Sequence, residues 1–106
     1  MRVDNTDLEC VFLITPKIYK DQRGYFYESF NKGKFEKIAK SKFNVVQDNQ
    51  SRSTQGTLRG IHFQTHPYAQ AKLVRVLAGE VYDVSVDLRR EYNNYCKWTG
   101  VHISAE

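Results

Sequence analysis

The sequence predicts an all-β fold, a sandwich or barrel of antiparallel strands with one short helix near the N-terminus. Three observations carry this. Aromatic and β-branched side chains gather in short runs, turn residues punctuate those runs, and only one segment shows helical spacing. Seven tyrosines and six phenylalanines in 106 residues, with only two prolines, favour a pleated surface. A chain of 106 residues makes a single domain, here expected over 1–106, with one modest core.

Taken in order, Cys10-Val11-Phe12-Leu13-Ile14 is an apolar run closed by Thr15-Pro16 and reads as the first strand. Lys20-Asp21-Gln22-Arg23-Gly24 has turn chemistry, with an acidic residue and a closing glycine. Tyr25 to Phe30 reads as an aromatic strand. Period two puts Phe26, Glu28 and Phe30 on one side, and Tyr25, Tyr27 and Ser29 on the other. Asn31 can cap a helix over about 32–40, where Phe35, Ile38 and Ala39 recur at helical spacing.

Asn44 to Ser53 reads as a mostly polar strand whose amides suit a hydrogen-bonding wall; an edge strand facing water has the same pattern. Gln55-Gly56 marks a turn. Ala71 to Ala78 and Val81 to Leu88 flank Gly79-Glu80, an arrangement expected to form a two-residue hairpin of type II′. In the second of these strands Tyr82, Val84, Val86 and Leu88 form an apolar face, opposed by Asp83, Ser85 and Asp87. Arg89 to Tyr95 is a polar connection. Lys97 to Ser104 is the last strand, and no closing element follows it, so the sheet is expected to be unfinished.

The charge bias is mild. Sixteen Lys plus Arg against 12 Asp plus Glu give +4, which suits a small anionic ligand and argues only weakly for nucleic acid. Lys32, Lys34, Lys37, Lys40 and Lys42 supply much of the excess, in the manner of a solvated helix face. Cys10 and Cys96 match no metal or redox spacing. No N-terminal segment joins basic residues to a long apolar run, so neither a leader nor a membrane span is expected; a cytoplasmic protein with free thiols is.

Polar chemistry is densest in Gln47-Asp48-Asn49, in Gly56-Thr57-Leu58-Arg59-Gly60-Ile61-His62-Phe63-Gln64 and in Gln70-Ala71-Lys72. Together these offer a base, two cations and several amides, which can converge if the segments are sheet neighbours. Strict alternation sets Arg59 and His62 on opposite faces, and Gly60 between them can host a bulge that re-aims one of them.

The runs Gly56–Leu88 (GTLRGIHFQTHPYAQAKLVRVLAGEVYDVSVDL), Asp21–Asn31 (DQRGYFYESFN) and Gln47–Ser53 (QDNQSRS) resemble the dTDP-4-dehydrorhamnose 3,5-epimerase family over nearly the whole chain. The resemblance implies a cupin fold, the double-stranded β-helix or jelly roll, here in truncated form. It implies a homodimer that epimerises a dTDP-linked 4-keto-6-deoxyhexose without a cofactor and without nucleic-acid or membrane partners. In that family the position of His62 is the base, and those of Arg59 and Lys72 bind substrate and hold the enolate oxygen. Arg23, Glu28, Gln47, Asp48 and Asn49 are implied to line the nucleotide and sugar site, with Phe26 packed on the base. The Arg23–Glu28 strand is one that a partner subunit can supply.

General chemistry agrees with those roles. An imidazole titrates near neutral pH, but it removes a proton α to a ketone only if the enolate is stabilised. A fixed ammonium aimed at the growing oxyanion supplies that stabilisation, and guanidinium groups grip diphosphate oxygens through paired donors. Metal-holding cupins use a His-x-His pair and a downstream glutamate. Here the pair is His62-Phe63-Gln64, and the cationic Lys72 lies where a carboxylate would be sought, so no metal is expected. The family's proton-donor tyrosine falls beyond these motifs, and Tyr92 and Tyr95 do not match it. A second reading is therefore a cupin that binds a sugar nucleotide without turnover. Bland readings also stand: His66 and His102 as structural histidines, Lys72 as an edge lysine, Phe26 as packing, Glu28 and Asp83 as partners of nearby cations.

Overall fold

The computed structural model describes residues 1–105. Among the described residues its regular elements are six short strands and one short helix, the strands arranged as three two-stranded antiparallel sheets. The first sheet joins β1 (Arg2–Asn5) to β2 (Phe12–Thr15), with Val3 opposite Ile14. The sequence reading missed β1, because Arg2-Val3-Asp4-Asn5 offers a single apolar residue. It also began β2 too early. Cys10 has φ 67°, a left-handed turn conformation incompatible with a strand. Thr6 organises that turn: its hydroxyl donates to Val11 O at 2.9 Å and accepts from Leu8 N–H at 3.2 Å. Leu8 is thereby folded inward and is only 3% exposed.

The second sheet is a tight hairpin of β3 (Tyr19–Asp21) and β4 (Gly24–Phe26). Asp21 builds its turn by accepting from the Arg23 amide at 2.8 Å, an Asx-type bond, and Gly24 takes φ +136°, open to glycine. The strand expected over Tyr25 to Phe30 ends at Phe26. Among the described residues β4 pairs with β3 alone, and that strand is used up by then: the register runs Tyr19↔Phe26 to Asp21↔Gly24.

Helix α1 (Lys32–Ala39) forms where its spacing predicts. The Asn31 side chain accepts from Lys34 N–H at 3.1 Å as N-cap, and Lys40 ends the helix at φ 50°. Phe35 turns inward at 7% exposure against Phe30 and Phe43, whose ring centroids lie 5.1 and 6.2 Å away. The lysine-rich face stays in water, with Lys32 3.9 Å from Glu36.

The third sheet pairs β5 (Glu80–Val86) with β6 (Trp98–Ser104), register Glu80↔Ser104 to Val86↔Trp98. This corrects the expected hairpin of Ala71–Ala78 with Val81–Leu88. Ala105 N–H donates to Gly79 O at 3.1 Å, so the β6 ladder runs on past Glu80 and occupies that edge of β5. Neither Ala71–Ala78 nor Asn44–Ser53 is a strand among the described residues, contrary to both expectations. A strand needs a hydrogen-bonded neighbour as well as a suitable side-chain pattern. The turn expected at Gln55-Gly56 is present, with Gly56 at φ +81° and Thr57 N–H on Thr54 O at 3.2 Å.

Among the described residues the buried apolar side chains are Leu8 and Phe35. Burial along β5 and one residue past it is reversed. Tyr82 on the apolar face is 54% exposed, whereas Asp87 from the polar face is 7% exposed. Arg89 makes that possible by closing on the Asp87 carboxylate through two donors, at 3.0 and 2.8 Å. Across the sheet the Tyr82 ring meets His102 at a centroid distance of 4.8 Å and lies over Gly100.

Candidate functional site

The expected site residues fall on three pieces of the chain. The first is the β3–β4 hairpin, where a shallow open depression of about 470 Å³ is lined by Tyr19, Lys20, Asp21, Arg23, Gly24, Tyr25 and Phe26. Arg23 reaches back to Asp21, Nη2 to Oδ2 2.6 Å, and this guanidinium holds the Asp21 carboxyl below the usual carboxylate range. The Arg23 side chain stays 91% exposed, so its remaining donors face water. Phe26 is exposed beside it and offers an uncovered ring face.

Glu28 is already partnered. Lys34 Nζ lies 2.6 Å from its Oε1 and Asn31 Nδ2 donates to Oε2 at 3.2 Å. These two bonds, Lys34 first, lower its pKa. The carboxylate therefore steadies the approach to α1 as well as standing near the hairpin.

The second piece is the amide row. Gln47 Nε2 donates to Asn49 Oδ1 at 3.2 Å, which places these alternate residues on one side, with Asp48 between them in the chain. The third piece carries the cations and the imidazole. Arg59 donates from Nε to Ser53 Oγ at 2.8 Å and from Nη2 to Arg52 O at 3.2 Å, folding the segment back across the Gln55-Gly56 turn. Gly60 follows at φ +124°, so the backbone alternation between Arg59 and His62 is broken where the sequence allowed for it. No ladder pairs there, however, so this is a kink in unpaired chain and not a bulge in a sheet.

His62 and Lys72 are exposed, and among the described residues neither side chain makes a hydrogen bond or ion pair. The structure thus brings Gln47 to Asn49 and sets Arg23 beside Phe26, while the hairpin depression has no wall from the 59–72 segment. Among the described residues no three His, Cys, Asp or Glu side chains gather within ligating reach of one metal ion, and no helix is long and apolar enough to cross a membrane.

Two pairs escaped the sequence reading. Gln70 Nε2 donates to Gln64 Oε1 across the turn at 65–68. Asp87 and Arg89 form the most protected ion pair, with the Asp87 side chain 4% exposed. Arg89 lowers the Asp87 carboxyl to about 2, through its guanidinium first and its backbone N–H second. In return the Asp87 carboxylate raises the Arg89 pKa. The guanidinium also stacks on Tyr92, 3.9 Å from the ring centroid, and reaches Glu9 O at 3.5 Å. An Asp-x-Arg at a strand end is the signal that marks it, although charge alternation of that kind is common.

The known proteins that this chain resembles form one class, named as epimerases of dTDP-linked sugars. The family model described as dTDP-4-dehydrorhamnose 3,5-epimerase matches residues 5–106, and the chain belongs to that family. A dTDP-4-dehydrorhamnose 3,5-epimerase of Shigella flexneri is 50% identical over 106 residues, all of this chain and 59% of that protein. The crystal structure of the enzyme from Elizabethkingia anophelis superimposes with a TM-score of 0.93 at 45% identity, covering 99% of this chain and 57% of that one. A dTDP-6-deoxy-D-glucose-3,5-epimerase from Legionella pneumophila, solved in complex with dTDP-4-keto-L-rhamnose, gives 0.92 at 46% identity, covering 98% of this chain and 55% of that one. The chain therefore spans rather more than half the length of the relatives it matches.

Proposed function

We propose that this chain carries the proton-abstracting part of an epimerase site that binds a dTDP-linked 4-keto-6-deoxyhexose. It inverts C3, C5 or both, in deoxysugar synthesis of the dTDP-L-rhamnose kind. The observation that carries the reading is the family match over residues 5–106, within which every expected site residue falls. The ligand described in the Legionella pneumophila structure supports the substrate class.

In this reading the β3–β4 hairpin takes the nucleotide end. Phe26 stacks on the base, and the unused donors of Arg23 meet the diphosphate together with Arg59. Gln47, Asp48, Asn49 and Glu28 hydrogen-bond the sugar and nucleoside. His62 removes the proton α to the ketone, and the electron pair moves onto the carbonyl oxygen as the Lys72 ammonium faces it. A proton delivered to the opposite face of the same carbon completes inversion, and the family resemblance assigns that donor to a tyrosine outside the matched motifs. No metal is required: enolate stabilisation comes from Lys72, whose charge would repel a cation.

Exposure sets a condition on this chemistry. Two unit charges 4 Å apart interact by only about 1 kcal/mol in bulk water, and several times more where water is excluded. His62 and Lys72 both stand in water here, so bound substrate and a covering subunit must dry the site. A homodimer of jelly-roll cupin domains in the cytoplasm, each built on residues 1–106, is the arrangement that fits this reading.

The test is solvent deuterium exchange into a dTDP-4-keto-6-deoxyhexose followed by NMR at C3 and C5. Label is expected with the native chain and reduced at least about a hundredfold in His62→Asn, the range for losing a general base. The exposure of His62 and Lys72, neither of which makes a side-chain hydrogen bond or ion pair among the described residues, favours one second reading, a binding module. Tight ligand binding with no label at either carbon would decide for it.

A further inference from the structure

We propose that Gln64 and Gln70 form a register pin that holds His62 opposite Lys72, an inference that rests on the epimerase reading of the site. The observation is the hydrogen bond from Gln70 Nε2 to Gln64 Oε1. It spans a turn in which Tyr68 N–H donates to Thr65 O at 2.8 Å, so the chain reverses between the two glutamines. On extended backbone, side chains two positions apart share a face. Two positions before Gln64 stands His62, and two positions after Gln70 stands Lys72.

Base and ammonium therefore stand at equal offsets, two positions each, from the bonded glutamines. No backbone ladder aligns these segments among the described residues, so the amide bond itself sets the alignment: with 64 held against 70, the reversed chain brings 62 towards 72. A slip of one position would send Lys72 to the other side. Among the described residues this amide bond is the one side-chain link between the His62 and Lys72 segments. An exposed amide–amide bond adds little to folding stability. Its consequence is geometric, and geometry of this kind governs proton transfer: a misplacement of about 1 Å can cost about a hundredfold in rate. Gln64 and Gln70 are thus positioning residues that act through His62 and Lys72.

Two measurements on the 106-residue chain test this. The first needs no turnover: through-space NMR contacts between the His62 ring and the Lys72 side-chain methylenes, without ligand. They are expected in the native chain and in Gln64→Glu, which keeps the acceptor, and lost in Gln64→Met and Gln70→Met. Absence in the native chain, or persistence in both methionine variants, overturns the pin. The second is deuterium exchange at saturating substrate. Either methionine variant is expected to slow it about ten- to a hundredfold with dTDP affinity unchanged, and the double variant to be no slower than the singles. Exchange at the native rate in both variants also overturns the pin. A native chain that keeps the NMR contact but exchanges nothing refutes the epimerase reading and leaves the pin standing.

Discussion

Asp87 shows how one side chain can reverse the burial expected of a strand. Alternation carried one residue past β5 places it on the polar side, yet it is the best-covered polar group described, because Arg89 closes on it through the side chain and the backbone N–H. Its carboxyl titrates at about 2 against an ordinary 3.8. A depressed carboxylate pKa means the unfolded chain binds the proton more readily. The stabilisation is therefore complete above about pH 4 and is lost as pH falls towards 2. Asp87→Asn is expected to lower the Tm by roughly 5 °C near neutral pH. Melting both proteins from pH 7 down to pH 2 should show the gap shrink towards zero; a gap independent of pH would mean the ion pair is not its source. Asp21 and Glu28 are depressed in the same direction by Arg23 and Lys34, but at open positions where water screens most of the effect.

At the scale of elements, what the sequence discloses depends on how local the determining contacts are. Helix α1 was legible because its period, its Asn31 cap and its aromatic anchor Phe35 all lie within a few residues of one another. Asn31→Ala is expected to cost about 1 kcal/mol, read as a shift in the urea midpoint without a change in slope. Strands β5 and β6 were legible as strands, but not as partners. Alternation fixes which side chains share a face, while the neighbour is chosen by contacts distant in sequence, here Glu80↔Ser104 onward. The same limit hid β1, whose strand state depends on β2 more than on its own composition. Of the proposed site, His62, Lys72 and the amide row were readable as residue types, and the Gln64–Gln70 bond was not, because only the turn at 65–68 makes those glutamines neighbours. Register also explains Gly100. It faces Val84 beside the Tyr82↔His102 pair, and a Cβ there would fall on the Tyr82 ring. Gly100→Ala should displace Tyr82 from His102 at a cost of about 1 kcal/mol, visible as an altered His102 ring shift in NMR. An unchanged shift would show that the ring does not depend on the glycine.

Over the whole molecule, the two halves of the proposed site ride on separate structures. Arg23 and Phe26 sit on the β3–β4 hairpin, which has its own turn and its own ion pair; His62 and Lys72 sit on the 59–72 segment, outside any sheet. No side-chain hydrogen bond or ion pair joins these two regions among the described residues. Nucleotide affinity and proton transfer should therefore separate under mutation, since distant sites without shared partners behave additively. Arg23→Ala removes a charge-assisted donor set and is expected to weaken dTDP binding by about tenfold to a hundredfold, a loss of roughly 1.5–3 kcal/mol. Exchange at saturating substrate should stay near the native rate. Lys72→Ala should do the reverse, leaving dTDP affinity within about threefold while slowing exchange by about a hundredfold or more, the scale of losing one oxyanion-stabilising group. Calorimetry with dTDP alone and exchange at saturating substrate read the two quantities independently. If both variants lose affinity and exchange together, the halves are coupled through contacts that close only around the ligand, and the division of labour drawn from this fold is wrong.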